Sequence, residues 1–366
     1  MELQKLKYPG AFELECGKSL PELTIAYHTY GQLNAEKDNV IWVCHALTAN
    51  SDAADWWEGL VGEDKAFDPN KYFIVCANML GSCYGTTGPA HTNPATGEIY
   101  GLDYPTITIR DMVKAHQFLQ KELGISQIKL IAGGSMGGQQ AVEWAITDPT
   151  LFNKVCILAS NAKHSPWGIA FNESQRMAIL ADSSLDKNDP KSGQRGLEAA
   201  RAIAMLSYRH YKTYQITQQE KTEEKFEDFR ASSYQRYQGL KLYNRFNVFS
   251  YLSLSKSMDS HNIGRGRGSI EEALQSIQAK ALIIGITTDI LFPIEEQILL
   301  AKHIPNAQLE VITSSYGHDG FLVEFESISG LVKPFLEQNV LINSKKNKVN
   351  DSLVTNPVAL PGTEEF

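Results

Sequence analysis

The stretch KLIAGGSMGGQQAVEWA, beginning at Lys129, constrains this chain more than any other. An apolar run leads into four glycines around Ser135 and Met136, and a helix-like pattern follows. Glycine weakens a strand or helix interior, so four together mark backbone geometry that other residues resist. Gly133-Gly134-Ser135-Met136-Gly137 is a G-x-S-x-G match between a strand and a helix, the setting of a nucleophile elbow. There the serine occupies a sharp, strained turn, and the flanking glycines remove side chains that would collide across it. The helix aims free N–H groups and the positive end of its dipole at developing negative charge. A phosphate-binding loop would need Lys then Ser or Thr after the glycines, but Gln139 and Gln140 follow Gly138.

Six short apolar runs bounded by turn residues suit buried parallel strands: NVIWVCHA from Asn39, KYFIVCANM from Lys71, IKLIAGG from Ile128, KVCILAS from Lys154, KALIIGITT from Lys280 and AQLEVITSS from Ala307. Helix-like patterns lie between them, including the run from Thr108 and the one opened by Pro293. The alternation predicts an α/β fold with a mostly parallel central sheet. It fails between about 161 and 269, where the chain is helix-rich, aromatic and polar. The expected organisation is a core over 1–160 and 270–340 and a helical cap over 161–269, above the sheet's C-terminal edge. The tail over 341–366 lacks periodicity and is expected to be poorly ordered or loosely packed.

A formal net charge of -8 argues against nucleic acid or anionic membrane as the main partner. No apolar run approaches the roughly 20 residues of a membrane span, and the first residues lack a signal-peptide core. The expected compartment is cytoplasmic. The five cysteines form no CxxC pair, and Cys44, Cys76 and Cys156 fall in or beside apolar runs. They read as buried free thiols in a reducing compartment. No zinc spacing is present, and no metal is expected.

A serine hydroxyl needs a base, and the base an orienting acid, in the chain order Ser, Asp or Glu, His. Of nine histidines, His261, His303 and His318 follow the serine and most of the cap. His303 sits in a helix-like run and His261 in a glycine-broken return loop. His318, in SSYGHDGF, follows the last strand and is the expected base. Asp289 lies just past a buried strand and is the expected acid, whereas Asp319 is too close to His318 in sequence to reach its far nitrogen. The oxyanion donors expected are the N–H groups of Met136 and Leu47, the latter in the loop after the first apolar strand. His45, in that loop, reads as a packing and hydrogen-bonding residue.

Together these motifs resemble the homoserine O-acetyltransferase family, α/β-hydrolase-fold acyltransferases of methionine biosynthesis. CHALTAN, DWWEGLVGEDKAFD, NMLGSCYGTTGP, GGSMGGQQAVEWA, GLEAARAIAMLSYR, SYQRYQGLKLYNRF, YLSLSKSMDSH and GHDGF carry the resemblance over about 23–325. It implies the same Ser135, Asp289 and His318, with oxyanion donors at Leu47 and Met136. It also implies that Arg201 and Tyr208 face the substrate from one cap helix, where seven residues separate positions on the same face. Arginine can clamp an amino acid's carboxylate bidentately. Asp319 matches the family residue proposed to hold the substrate's ammonium, and Asn50 is a further candidate in the Leu47 loop. Two positions depart from the common pattern: Ala49 stands where glycine, and Asn247 where aspartate, is usual.

The resemblance implies ping-pong transfer of an acetyl group from acetyl-CoA, a co-substrate, through Ser135 to L-homoserine, with no other cofactor. The rival readings are an esterase on the same scaffold, a homoserine O-succinyltransferase, a serine O-acyltransferase and a scaffold with a dead site. The aromatic and leucine content of 226–254 exceeds what one covering layer needs, so a homodimer through the cap is expected.

Overall fold

A computed structural model describes residues 2–338; the tail expected over 341–366 lies outside them. Eight strands form one sheet: β1 (Gln4–Lys7), β2 (Thr24–Tyr30), β3 (Val40–Cys44), β4 (Phe73–Ala77), β5 (Ile128–Gly134), β6 (Lys154–Leu158), β7 (Lys280–Ile286) and β8 (Ala307–Ile312). Their spatial order is β1-β2-β4-β3-β5-β6-β7-β8. Strands β3 to β8 are mutually parallel and are the six apolar runs. Strand β2 runs antiparallel to both neighbours, β1 and β4. The sheet has two covered faces, so its strands alternate between two cores: Val40, Trp42 and Cys44 enter one, Ile41 and Val43 the other.

Helices α1 (Ile109–Glu122) and α2 (Met136–Thr147) cover the first face. Helix α1 starts at Thr108 with a capping box: Thr108 Oγ1 accepts from Asp111 N–H, and the Asp111 carboxylate accepts from Thr108 N–H at 2.8 Å. After β6 the chain leaves the sheet for α3 (Pro166–Leu180), α4 (Gln194–Tyr208), α5 (Tyr211–Gln218), α6 (Arg230–Tyr243) and α7 (Val248–Asp259). The two ends of this block are tied by a Lys163–Asn262 bridge, with His164 N–H on His261 O at 3.0 Å and Ile263 N–H on Ala162 O at 3.1 Å. The chain then returns through α8 (Ile270–Gln275) to β7, α9 (Ile294–His303), β8 and α10 (Phe325–Glu337). Helix α10 and residues 53–67 cover the second face.

The apolar content of 226–254 divides in two. In α7, Phe249, Tyr251, Leu252 and Leu254 are buried and serve the cap's own core, whereas Phe226, Phe229, Tyr237 and Leu240 are exposed. Cys44, Cys76 and Cys156 are buried and all five cysteines are free. No helix among the described residues is long and apolar enough to cross a membrane.

Candidate active site

Ser135 joins β5 to α2 with φ 56° and ψ -126°, a conformation that side chains resist. The neighbouring strand holds it there: Ser135 N–H donates to Leu158 O at 3.0 Å, and Ser160 Oγ donates to Ser135 O at 2.8 Å. Strands β5, β6, β7 and β8 are neighbours and parallel, so the turns after them share the C-terminal edge. Asp289 comes from the turn after β7 and His318 from the turn after β8. His318 Nδ1 lies 2.7 Å from Asp289 Oδ2, and both residues are buried. The other oxygen, Asp289 Oδ1, accepts from the Leu291 and Phe292 N–H groups, each at 2.9 Å. One carboxylate thus closes its own turn and orients the imidazole. The His318 ring stacks on Phe292 at 5.0 Å and meets Phe321 at 5.3 Å and Tyr208 at 5.8 Å. Phe321 also reaches the elbow, for a Cβ on Gly134 would come within 2.4 Å of its ring.

The chain after β3 and the start of α2 pack together beside the serine. Met136 is the first residue of α2, so its N–H has no acceptor within the helix. Leu47 lies in the turn over 46–49, closed by Ala49 N–H on Ala46 O at 3.0 Å. Gly137 lets the two approach: a Cβ there would sit 2.1 Å from Cys44 O. Gln140 binds them from below, donating to both His45 O and Met136 O at 3.2 Å. Its own oxygen accepts from His116 Nε2 at 3.0 Å, which fixes the amide. His45 Nδ1 donates to Ala46 O at 2.9 Å and its Nε2 accepts from Met79 N–H at 3.0 Å. Burial pushes its pKa down to about 4, so it stays neutral as a structural residue.

The α/β-hydrolase-fold family model matches residues 39–325. A homoserine O-acetyltransferase of Cyclobacterium marinum is 54% identical over 329 residues, covering 90% of this chain and 93% of the relative. The chain belongs to the homoserine O-acetyltransferase family. The crystal structure of a homoserine O-acetyltransferase from Bacillus anthracis superposes with a TM-score of 0.85 at 26% identity, covering 93% of this chain and 100% of that one. Esterase E22 superposes with a TM-score of 0.83 over 92% of this chain and 100% of its own, but at 23% identity it shares the fold alone.

In this member of the homoserine O-acetyltransferase family the cap brings Tyr208 against His318 and Arg201 over the Tyr208 ring at 5.2 Å. Among the described residues Arg201 has no carboxylate partner. Burial raises the Tyr208 pKa, opposed by the nearby Arg201 charge. Asp319 is buried and already paired, with Arg209 Nε 2.7 Å from its Oδ2. Arg209 also lies over Tyr316 at 5.4 Å, and Thr213 Oγ1 donates to Ser315 O. The α4–α5 turn is therefore strapped to the His318 loop, a contact no local signal in the sequence announces. Asn50 Oδ1 accepts from Asp52 N–H at 2.8 Å and closes a turn, so that oxygen is committed to the loop. Asn247 keeps the chemistry of the usual aspartate in one respect: its Oδ1 caps α7 by accepting from Ser250 N–H at 2.8 Å.

Proposed function

We propose that the chain transfers an acetyl group from acetyl-CoA to the hydroxyl of L-homoserine through an acetyl-Ser135 intermediate. His318 Nε2 takes the Ser135 Oγ proton as Oγ attacks the thioester carbonyl. Leu47 and Met136 N–H groups hold the oxyanion. The C–S bond breaks, and His318 returns the proton to the departing CoA thiolate. L-Homoserine then gives its hydroxyl proton to His318 and attacks the acetyl carbon, and Ser135 regains the proton as its ester bond breaks. Asp289 keeps the proton on Nδ1 and stabilises the imidazolium in both halves.

The observation that carries transfer over hydrolysis is Arg201. An unpaired guanidinium, one aromatic ring away from the base, suits a substrate carboxylate rather than water. Asp319 sits where an ammonium would share its carboxylate with Arg209. Phe292 and Phe321 give His318 apolar neighbours, the kind of lining that disfavours water as the acceptor. Five free cysteines suit a reducing, cytoplasmic compartment.

Mass spectrometry after mixing with acetyl-CoA tests the reading. An acetyl adduct should appear on Ser135, vanish on adding L-homoserine with formation of O-acetylhomoserine, and be absent in Ser135→Ala. An adduct on a cysteine, or turnover by Ser135→Ala, would sink it. The exposed Phe226, Phe229, Tyr237 and Leu240 further support a homodimer through the cap. Light scattering should give twice the chain mass at micromolar concentration, and a monomer would refute that part.

A further inference from the structure

Leu47 N–H can serve an oxyanion only if its turn is held, and a second side chain holds that turn from the cap side. Arg245 lies between α6 and α7, 197 residues along the chain from Thr48. Its Nη1 donates to the Thr48 carbonyl oxygen and, at 2.9 Å, to the Tyr84 hydroxyl. Its Nη2 lies 3.4 Å from Thr48 Oγ1. Thr48 directly follows Leu47 in the turn over 46–49.

The backbone around Arg245 is fixed. Its carbonyl accepts from Cys83 Sγ at 3.8 Å, and buried Phe246 packs edge-on against Tyr84 at 5.8 Å and Tyr251 at 6.3 Å. Among the described residues the guanidinium has no carboxylate partner, so its charge is directed at a carbonyl and two hydroxyls. A charge-assisted bond of this kind is roughly twice as strong as a neutral one.

We propose that Arg245 is a positioning residue for the oxyanion hole, through which the seating of the cap sets the direction of Leu47 N–H. Gln140 fixes the turn from the core and Arg245 from the cap. The cap that would receive the acceptor then also determines whether the donor thioester meets a formed hole. This rests on the assignment of Leu47 and Met136 as the oxyanion donors.

Arg245→Met, which keeps the apolar stem, and Arg245→Lys test it in the full chain. Three quantities are read: the rate of the CoA burst, thermal stability, and inhibition by a trifluoromethyl ketone whose serine adduct is itself a tetrahedral oxyanion. Arg245→Met should slow the burst by about 10- to 100-fold and weaken the ketone by a similar factor while melting near wild type. Lysine should recover part of both, since one ammonium cannot span three acceptors as a planar fork does. Tyr84→Phe, which keeps the ring packing, should shift burst and inhibition together and less. A slower burst with unchanged ketone affinity, or no change in either, overturns the proposal. If the wild-type chain forms no acetyl-Ser135 and resists the ketone, the assignment of the hole fails and the proposal with it.

Discussion

Gly137→Ala tests the close approach of the elbow to the chain after β3, on which the proposed oxyanion hole of Leu47 and Met136 depends. The added Cβ would lie 2.1 Å from Cys44 O, 2.9 Å from Cys44 C and 3.2 Å from His45 C. All three are backbone atoms, so no side chain can swing away. Restoring an ordinary contact requires the end of β3 and the elbow to part by about 1 Å. Behind the elbow, a Cβ on Gly138 would already fall 2.5 Å from Ser160 Cβ, so α2 has little room to retreat. The movement therefore falls on the chain from Cys44 to Leu47. A misplacement of about 1 Å in a reacting constellation can cost on the order of 100-fold in rate. Overpacking of this kind costs about 1–3 kcal/mol in stability. Stopped-flow release of CoA thiol in a single turnover reads the first effect, and thermal unfolding the second. Gly330→Ala is the matched control: it lies in α10, and its Cβ would meet nothing within 4 Å, so rate and fold should both hold. Acylation by folded Gly137→Ala within about threefold of wild type would refute the argument from backbone contact.

Arg201→Ala should leave the CoA burst nearly intact while acceptor kcat/KM for L-homoserine falls by about 30- to several-thousand-fold, the cost of losing a charge-assisted pair in a closed site; loss of the burst would move Arg201 to the donor side. Lysine at that position should rescue poorly, because it lacks the planar fork. Acid should destabilise the fold through four buried neutral histidines: burial pushes His45, His116 and His164 to about 4 and His261 to about 3. Their folded pKa lies below the unfolded value near 6.5, so the unfolded chain binds protons first. Their contribution is complete above pH 6.5 and is lost as pH falls toward 4, by up to about 2 kcal/mol each at pH 5. Urea midpoints should drop between pH 7.5 and 5, and a constant midpoint would contradict this.

What the sequence disclosed follows from which interactions are local. Strands β3 to β7 are almost wholly buried because both faces are covered, and such runs stand out, whereas β8, expected to be buried as well, is an edge strand with Gln308 and Val311 exposed. The elbow is legible because its glycines are demanded within five residues. Strand β1, QKLK, has three exposed positions and one partly buried, so it carries no apolar signature, and it marks an edge only once β2 is in place. The surplus of aromatic residues in 226–254 was half a core, since α7 turns inward. The pairing of Asp319 with Arg209, and of Arg245 with Thr48, joins residues about 110 and 197 positions apart, and no local pattern brings them together. The expectation for Asp289 rested on its place after β7; its contact with His318 and the second role of its carboxylate appear only in the geometry of the turn.

The bridge between Lys163 and Asn262 has a consequence for how such proteins diversify. Because the five-helix block leaves and rejoins the core at adjacent points, its exchange requires no re-threading of the sheet and no change in the order of β6 and β7. The elbow, Asp289 and His318 all stay behind on the sheet when the block changes. The whole block can therefore be replaced by rewriting one contiguous stretch of sequence. That stretch is not free to drift, for its replacement must still supply partners for two loops of the host: the Thr48 turn at one side and the Ser315–Asp319 turn at the other.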